Sequence, residues 1–562
     1  MYRKFFKRVF DIVLSLMALI VLSPVLLAIA VLIRINLGSP VLYTAKRPGK
    51  NGEIFNLHKF RSMTNERDAN GNLLPDAQRL TKLGRILRKT SLDELPELWD
   101  VLIGKMSLIG PRPLSPKYLP YFTEYENQRH YVRPGITGLA QINGRSGLNW
   151  EERFEYDVQY VNNLTFIMDF KIFFKTIYKV LKREDTFERE EISLLNFDDY
   201  RKIQIENKNN YKEIGSEFWL ENKEIGDGFL NKFPNLQYVF SGRTAIDYIV
   251  KDIAQKGKAH IYLPFFLCQS MVEPIKNNSI DISFYNIYIK DQRFAADLTS
   301  LEKVNNSAFF ICDYFFFDNE YYQELLSFAK NNKMIVIHDI THSLLSKDLT
   351  VEEDDYYFAS LRKWMPAPDG AIMGKRGGKL NINKSDLHQD FTDIKIQAMK
   401  KKRNYMLNNI GSKDDFRKLY QRAEELLERD YTNKSISKDS LNIIKNTRFS
   451  NIINARKNNA KIIADGLNEI EQIKPVYQED SCPLFVPVLF ADKEQRDSFK
   501  KHMIEKNIYL PIHWPKPDNV KITEQTRDIY DKILSIVIDQ RYSEADMRKI
   551  IIATKKYFGA EK

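Results

Sequence analysis

Hydrophobic and polar positions divide the chain into four regimes. Residues Ile12 to Ile33, IVLSLMALIVLSPVLLAIAVLI, run for 22 positions without a charge, and at about 1.5 Å per residue a helix of that length reaches across a hydrocarbon core. The run is too long for a signal peptide and continues into Arg34, so it is expected to be retained. Basic residues flank it on both sides, Arg3, Lys4, Lys7 and Arg8 before it and Arg34, Lys46 and Arg47 after it. The positive-inside rule therefore asks for both ends on one side. At mid-depth Ser23 and Pro24 predict a bend, because proline removes a backbone donor while a serine hydroxyl can bond the freed carbonyl. These features predict a re-entrant membrane helix over 1–36; a kinked single span is the alternative.

From Gly38 to Asp185 the chain is dense in turn residues and arginine, which predicts a mainly helical domain over 37–185 with functional loops. Residues 186–216 are polar without a sustained apolar period and are expected to be a linker. After Tyr238, apolar runs such as AHIYLP, ISFYNIYI, SAFFICDYF, MIVIHDI and GAIMG alternate with helical stretches. That alternation predicts an α/β domain with a largely parallel sheet over 217–390. A helical connection and a small α+β subdomain are expected over 391–562. The whole is an α/β multidomain chain, as 562 residues require more than one core.

Composition adds little to fold class, but it narrows the partners. Cys268, Cys312 and Cys482 share no metal-ligand or disulfide spacing, which fits a reducing compartment. The net charge of +11 is spread along the chain without a basic tract or a recognisable nucleic-acid module, and anionic lipid and phosphorylated substrates account for it as well as nucleic acid would; no nucleic-acid partner is expected.

Chemistry concentrates in SLDELPELWD, residues 91–100. A capping box from Ser91 to Glu94 would set Pro96 where its missing amide is needed. A helix starting at Asp93 avoids this and brings Asp93 and Glu94 to a helix N-terminus, a place that favours anions and approaching phosphates. Adjacent carboxylates do not share a helix face, so different tasks suit them: one a nucleophile towards phosphorus, the other a hard ligand for Mg²⁺. Arg88, Arg112 and Arg133 are guanidinium clamps for phosphate oxygens. Glu97 and Asp100 are expected to be ordinary helix charges.

LHKFRSM (57–63), TSLDELPELWDVLIGKMSLIGPRP (90–113) and VRPGITGLAQINGR (132–145), preceded by the Ser-Pro membrane helix, resemble the small monotopic phosphoglycosyl transferases, or bacterial sugar transferases. The resemblance implies transfer of a sugar 1-phosphate from a UDP-sugar to polyprenyl (undecaprenyl) phosphate with release of UMP, at the cytoplasmic face of a bacterial inner membrane. It implies Asp93 as covalent nucleophile and Glu94 as Mg²⁺ ligand. Lys59, Arg88, Arg112, Arg133, Arg145 and Asp157 match positions implicated in substrate contacts.

A second constellation follows. Asp339 and His342 end one strand-like run, and Ser360 and Lys363 end another, while Ser241, Gly242, Arg243 and Thr244 stand between a strand and a helix. Ligands of open parallel sheets bind beyond the carboxyl ends of strands, and helix-start amides cradle phosphates. From about Phe218 to Phe558 these features resemble fold-type I pyridoxal 5'-phosphate (PLP) enzymes, especially the DegT-like sugar aminotransferases. The resemblance implies Lys363 as Schiff-base lysine and proton shuttle, Asp339 as partner of the pyridine nitrogen and His342 as a contact to the ring oxygen. Ser360 and the Gly242–Thr244 turn would hold the phosphate. The position usually aromatic in this family is Cys268, leaving Phe265 or Phe266 as substitutes, and Arg243 replaces a smaller residue. The expectation is a bifunctional, homodimeric enzyme with glutamate as amino donor; the alternative is a non-catalytic C-terminal binding or dimerisation module.

Overall fold

The computed structural model describes residues 1–68, 71, 73–144, 148–182, 196–209, 211–257, 259–299, 301–302, 304–382, 386–517 and 520–559. The chain divides into two compact units, Met1–Lys202 and Ile203–Lys562.

In the first unit, α1 (Lys7–Leu37) is long and apolar enough to cross a membrane and continues through Pro24. Ser23 Oγ donates to the Ile20 carbonyl at 2.8 Å, the acceptor that proline at position 24 leaves without its usual amide. Near its start, Arg8 donates to the carbonyls of Val101 and Leu102 (2.6 and 2.7 Å), and buried Asp11 accepts from Ser107 Oγ and the Leu108 amide, both at 3.0 Å. Near its end, Ile29 and Ile33 pack with Phe60 and Leu87, and the Leu37 carbonyl accepts from Arg61. Between these anchors Leu14, Met17, Ile20, Val21, Leu27 and Val31 are exposed.

A hairpin of β1 (Leu42–Pro48) and β2 (Ile54–Phe60) follows. Phe55 and Leu57 are buried, and strand alternation carries Lys59 on the same face. After α2 (Lys82–Lys89), Ser91 adopts a left-handed conformation (φ 55°) and Leu92–Glu94 form a single 3₁₀ turn. The α-helix itself, α3 (Glu97–Leu102), begins with Pro96 as N-cap. The expected helix start at Asp93 is therefore corrected: Pro96 cannot donate, and it takes the N-cap, where no donor is required. Strand β3 (Ser107–Ile109) pairs in parallel with β4 (Gly135–Thr137). A Cβ on Gly110 would meet the Arg133 carbonyl at 2.5 Å and one on Gly135 the Gly110 amide at 2.1 Å, so the GPRP and RPGITG motifs are packed backbone to backbone. Helices α4 (Trp150–Asn162) and α5 (Phe166–Lys182) complete most of the unit.

The stretch 186–216, expected as a linker, contains helix α6 (Phe197–Asn209). Phe197 is fully buried against Tyr118, Trp150 and Phe154 in the first unit, whereas Tyr211 and Ile214 belong to a core of the second. Isolated aromatics among charges carry no period, so the pattern did not reveal them. Residues 186–195 of the expected linker lie outside the described residues.

In the second unit, β5 (Ile214–Gly215) precedes an eight-stranded sheet. Its strands are β6 (Gln237–Val239), β7 (His260–Pro264), β8 (Asp281–Lys290), β9 (Arg293–Asp297), β10 (Ser307–Cys312), β11 (Ile335–Asp339), β12 (Tyr356–Ser360) and β13 (Ala371–Lys375). They lie in the order β6-β13-β12-β11-β10-β7-β8-β9. The run from β12 to β8 is parallel, while β13 and β9 are antiparallel to their neighbours. Every residue of β10 and β12 is buried, as a sheet covered on both faces demands, and each fully buried Ile or Phe contributes about 1.5–3 kcal/mol. Helix α7 (Gly242–Gln255) follows β6. Beyond the sheet come α8 (Gln389–Asn408), α9 (Lys413–Arg429) and α10 (Phe449–Leu467); α8 runs straight through the expected boundary at 390. A three-stranded antiparallel sheet of β14 (Lys474–Pro475), β15 (Val486–Leu489) and β17 (Ile533–Ile536) shares a core with α10 and α11 (Glu544–Phe558). Strand β16 (Ile508–Tyr509) pairs in parallel with β5.

Candidate functional sites

The first cluster forms where β2, the 3₁₀ turn and the GPRP loop meet. Lys59 Nζ lies 2.6 Å from Glu94 Oε1 and 3.1 Å from Glu97 Oε1, and Arg112 Nη2 reaches the same Glu94 oxygen at 2.5 Å. Burial works against ionisation of Glu94, yet Arg112 and Lys59 outweigh it and pull the carboxyl down to about 2. Asp93 is mostly buried; burial and the adjacent Glu94 charge raise its carboxyl, with Lys59 and Arg88 opposing. Arg88 is fixed by its Nε bond to Ser62 Oγ (3.0 Å). The result is a carboxylate more basic than usual, ringed by cations, which suits attack on an electrophilic phosphorus.

Other expected residues stand elsewhere. Arg133 donates its Nε to the Gly104 carbonyl at 2.8 Å. Asp157, 2% exposed, is bonded to Arg129 through Nε and Nη2 (3.0 and 2.8 Å). Arg129 Nη2 also donates to the Arg112 carbonyl at 2.7 Å. Asp157 thus lies behind the site and holds the GPRP loop rather than facing a substrate. Arg145 lies outside the described residues. Glu97 and Asp100, expected to be ordinary helix charges, are both buried. Glu97 shares Lys59 with Glu94, and burial together with the Glu94 charge raises its carboxyl to about 7. Asp100 accepts from the His58 amide (2.9 Å) and pairs with its Nδ1 (2.8 Å), tying β2 to α3 beside Lys59. For Glu97 the available signal was its place on one helix face with Val101, four positions on.

Among the described residues no three His, Cys, Asp or Glu side chains converge on a metal position. Mg²⁺ needs only one or two carboxylates when phosphate oxygens and water complete its shell. Both cations take Glu94 Oε1, so its second oxygen fits such a role.

The second cluster lies at the carboxyl ends of the central strands. Asp339 ends β11, is 6% exposed and accepts from the Thr341 amide at 2.9 Å; burial raises its carboxyl. His342 Nδ1 accepts from the Phe315 amide (3.3 Å), its Nε2 is buried without a hydrogen-bond partner among the described residues, and its ring stacks on Trp514 at 5.2 Å. Burial and the Lys363 charge keep this imidazole neutral. Lys363, in the turn after β12, makes no hydrogen bond or ion pair among the described residues. It opens into a cleft of about 650 Å³. Nearby His513 is pushed down to about 3 by burial and Lys363.

At the start of α7, a Cβ on Gly242 would come 3.6 Å from that of Ser360, so the turn and the end of β12 adjoin. Arg243 Nη1 is buried without a hydrogen-bond partner among the described residues. Thr244 is committed internally: its amide donates to Ser241 Oγ (3.2 Å) and its hydroxyl to the Tyr431 carbonyl (2.7 Å). Cys268 is the N-cap of the helix Gln269–Asn277. Phe265 stacks on Phe284 at 5.1 Å, and Phe266 is buried against Trp514 and Tyr530. Lys363, Asp339, His342, Ser360, Gly242 and Arg243 fit PLP, with an unpaired lysine, a buried acid and orphaned donors. Sequence spacing missed His338, which lies 2.8 Å from Asp354 and 3.1 Å from Asp313. Burial lowers it, but the two carboxylates prevail and hold it protonated, at about 10.

Residues 2–183 match the family described as bacterial sugar transferase. An uncharacterized sugar transferase of Bacillus subtilis, EpsL, is 52% identical over 178 residues, which are 32% of this chain and 88% of that protein. The undecaprenyl-phosphate galactose phosphotransferase of Salmonella typhimurium is 38% identical over 201 residues, 33% of this chain and 42% of that protein. The UDP-glucose:undecaprenyl-phosphate glucose-1-phosphate transferase of Klebsiella pneumoniae is 41% identical over 184 residues, 31% and 40% of the two chains. This chain thus spans less than half the length of the last two. Among solved structures, the Helicobacter pylori aminotransferase PseC aligns with 67% of this chain and all of that chain, at TM-score 0.44 and 11% identity.

Proposed function

The chain belongs, through residues 2–183, to the bacterial sugar transferases, and from that premise we propose that its first unit moves a sugar 1-phosphate from a UDP-sugar to polyprenyl phosphate. The name of the Klebsiella relative carries that chemistry, and that of the Salmonella relative a galactose phosphotransfer involving undecaprenyl phosphate. The observation that carries the proposal is the raised carboxyl of Asp93 set among Lys59, Arg88, Arg112 and Glu94. Asp93 attacks the sugar-bearing phosphorus in line, the bond to the UMP oxygen breaks, and UMP departs. The phosphate of the lipid then attacks the aspartyl phosphodiester and frees Asp93 again. Arg88 and Arg112 neutralise charge that builds on the phosphate oxygens, the main service a protein renders to phosphoryl transfer. Glu94 would hold Mg²⁺, which when bound would supply further neutralisation of the diphosphate.

The membrane helix is proposed to be re-entrant, with the enzyme on the cytoplasmic face of a bacterial inner membrane. In support, Arg8 and Asp11 near one end of α1 and Ile33 and Leu37 near the other bond or pack within one unit, which a crossing helix would separate by a bilayer. UMP release from a panel of UDP-sugars, with and without undecaprenyl phosphate, tests the reaction and identifies the sugar. Asp93→Asn is expected to lower release by at least 10³-fold, the scale of losing an essential nucleophile; undiminished release removes the covalent course.

For the second unit the proposal is amination of a nucleotide keto sugar, with glutamate as donor and a homodimer as working form. PLP, held by Lys363, Asp339, His342, Ser360, Gly242 and Arg243, would supply an electron sink for carbanion chemistry. Lys363, unpaired and lining the cleft, moves the proton at its Nζ, and buried Asp339 would pair with the pyridine nitrogen. A non-catalytic binding module is the second reading, favoured by the committed Thr244 and by Cys268 at the aromatic position. Purified protein with added PLP is expected to show a cofactor absorbance band that Lys363→Ala abolishes. Its absence selects the second reading.

A further inference from the structure

The cleft beside Lys363 carries a chain of charges that neither proposed reaction uses. Lys395 of α8, 4% exposed, has its ammonium between Glu424 of α9 at 2.9 Å and Glu217 at 3.2 Å. Arg362 grips Glu424 from the other side through two bonds, 2.8 and 3.3 Å. All four residues line the cleft. Their formal charges cancel, and without Glu217 the remaining three sum to +1.

Glu217 differs from its partners in how it is held. Its backbone is clamped: the carbonyl accepts from Lys402 Nζ (2.6 Å) and Arg541 Nη1 (2.9 Å). On either side, Ser216 Oγ accepts from Lys402 (3.0 Å) and the Phe218 carbonyl from Tyr420 (2.5 Å). Just before it, β5 is locked onto β16. Its side chain, by contrast, is half exposed. The backbone has nowhere to go, while the carboxylate has a path to water.

We propose that Lys395, backed by the Arg362–Glu424 pair, is a seat for the carboxylate of an amino acid or 2-oxo acid, and that Glu217 occupies this seat as an internal stand-in that the ligand displaces. One carboxylate replaces another, so the cluster stays neutral. A phosphate dianion would leave it negative in a partly desolvated cleft, which is costly. Lys395 holds the Glu217 carboxyl below its usual range, so Glu217 swings out as an anion and no proton is transferred. The seat does not depend on amination, because it is read by binding alone.

Calorimetric titration of the full chain in detergent or nanodiscs with L-glutamate, 2-oxoglutarate and inorganic phosphate tests it, in a Lys363→Ala background that excludes turnover. Glu217→Ala is expected to bind at least one of the two acids tenfold or more tighter than the unsubstituted residue, and Glu217→Gln to gain less. Adding Lys395→Gln to Glu217→Ala is expected to abolish the gain, with circular dichroism confirming the fold of each variant. A folded Glu217→Ala that binds both acids no better, or a gain that survives Lys395→Gln, overturns the proposal. A gain for phosphate alone overturns the ligand class.

Discussion

At the scale of single residues, the acids of the first site diverge in character although only a few positions separate them. Glu94 is stripped of its proton by two cations, whereas Glu97, 3% exposed and facing the Glu94 charge, is raised from 4.5 to about 7. A carboxyl whose value is higher folded than unfolded favours the native state at low pH, and that contribution is lost as pH climbs to the folded value. Between about pH 4.5 and 7 Glu97 therefore becomes progressively destabilising, and above pH 7 the cost levels off on the order of 3 kcal/mol. Glu97→Gln keeps a similar volume and removes the charge. Its unfolding midpoint is expected to exceed that of the unsubstituted protein by several degrees at pH 8, with the gap closing towards pH 4.5. A gap that stays constant across this range means Glu97 acts through packing or its Lys59 bond and not through its charge.

At the scale of elements, what was legible depended on periodicity and on local backbone chemistry. The five apolar runs quoted between residues 259 and 374 all contain strands, because strands of a sheet covered on both faces are apolar over most of their length. Pro96 pointed correctly against a Ser91 capping box, yet the carboxylates sit in a 3₁₀ turn ahead of the helix; proline excludes one helix start without choosing among the others. Asp157 was assigned to the substrate because nothing local shows that Arg129, 28 positions earlier, takes its carboxylate. Thr244 reads as a phosphate ligand until the Tyr431 carbonyl, 187 residues away, claims its hydroxyl. The same limit hid the helix in the expected linker and the seat at Lys395 of α8, whose partners come from α9 and the segment after β5. Residue types announce chemistry, but only tertiary pairing decides whether a polar group faces a ligand or is already satisfied.

At the scale of the molecule, the exposed apolar surface of the first unit is concentrated. Besides α1, helix α5 exposes Phe166, Ile167, Phe170, Phe174 and Ile177, and Phe166 meets Tyr2 and Phe10 at 5.6 Å each, so the two helices form one continuous face. A water-soluble surface does not sustain a patch of that kind, and aromatic side chains at such a face are at home at the bilayer interface. With both ends of α1 bonded or packed into the unit that carries this face, the proposed re-entrant course puts the flanks of the helix on the same side of the membrane. In a Cys268→Ser background, which removes the partly exposed thiol, single cysteines at exposed Arg3 and Ser39 report on this directly. A membrane-impermeant maleimide applied to sealed inside-out vesicles is expected to label both positions, and neither in right-side-out vesicles. Labelling of one position from each side would establish a crossing helix, and the contacts of Arg8 and Leu37 with the folded unit could not then both persist in the membrane.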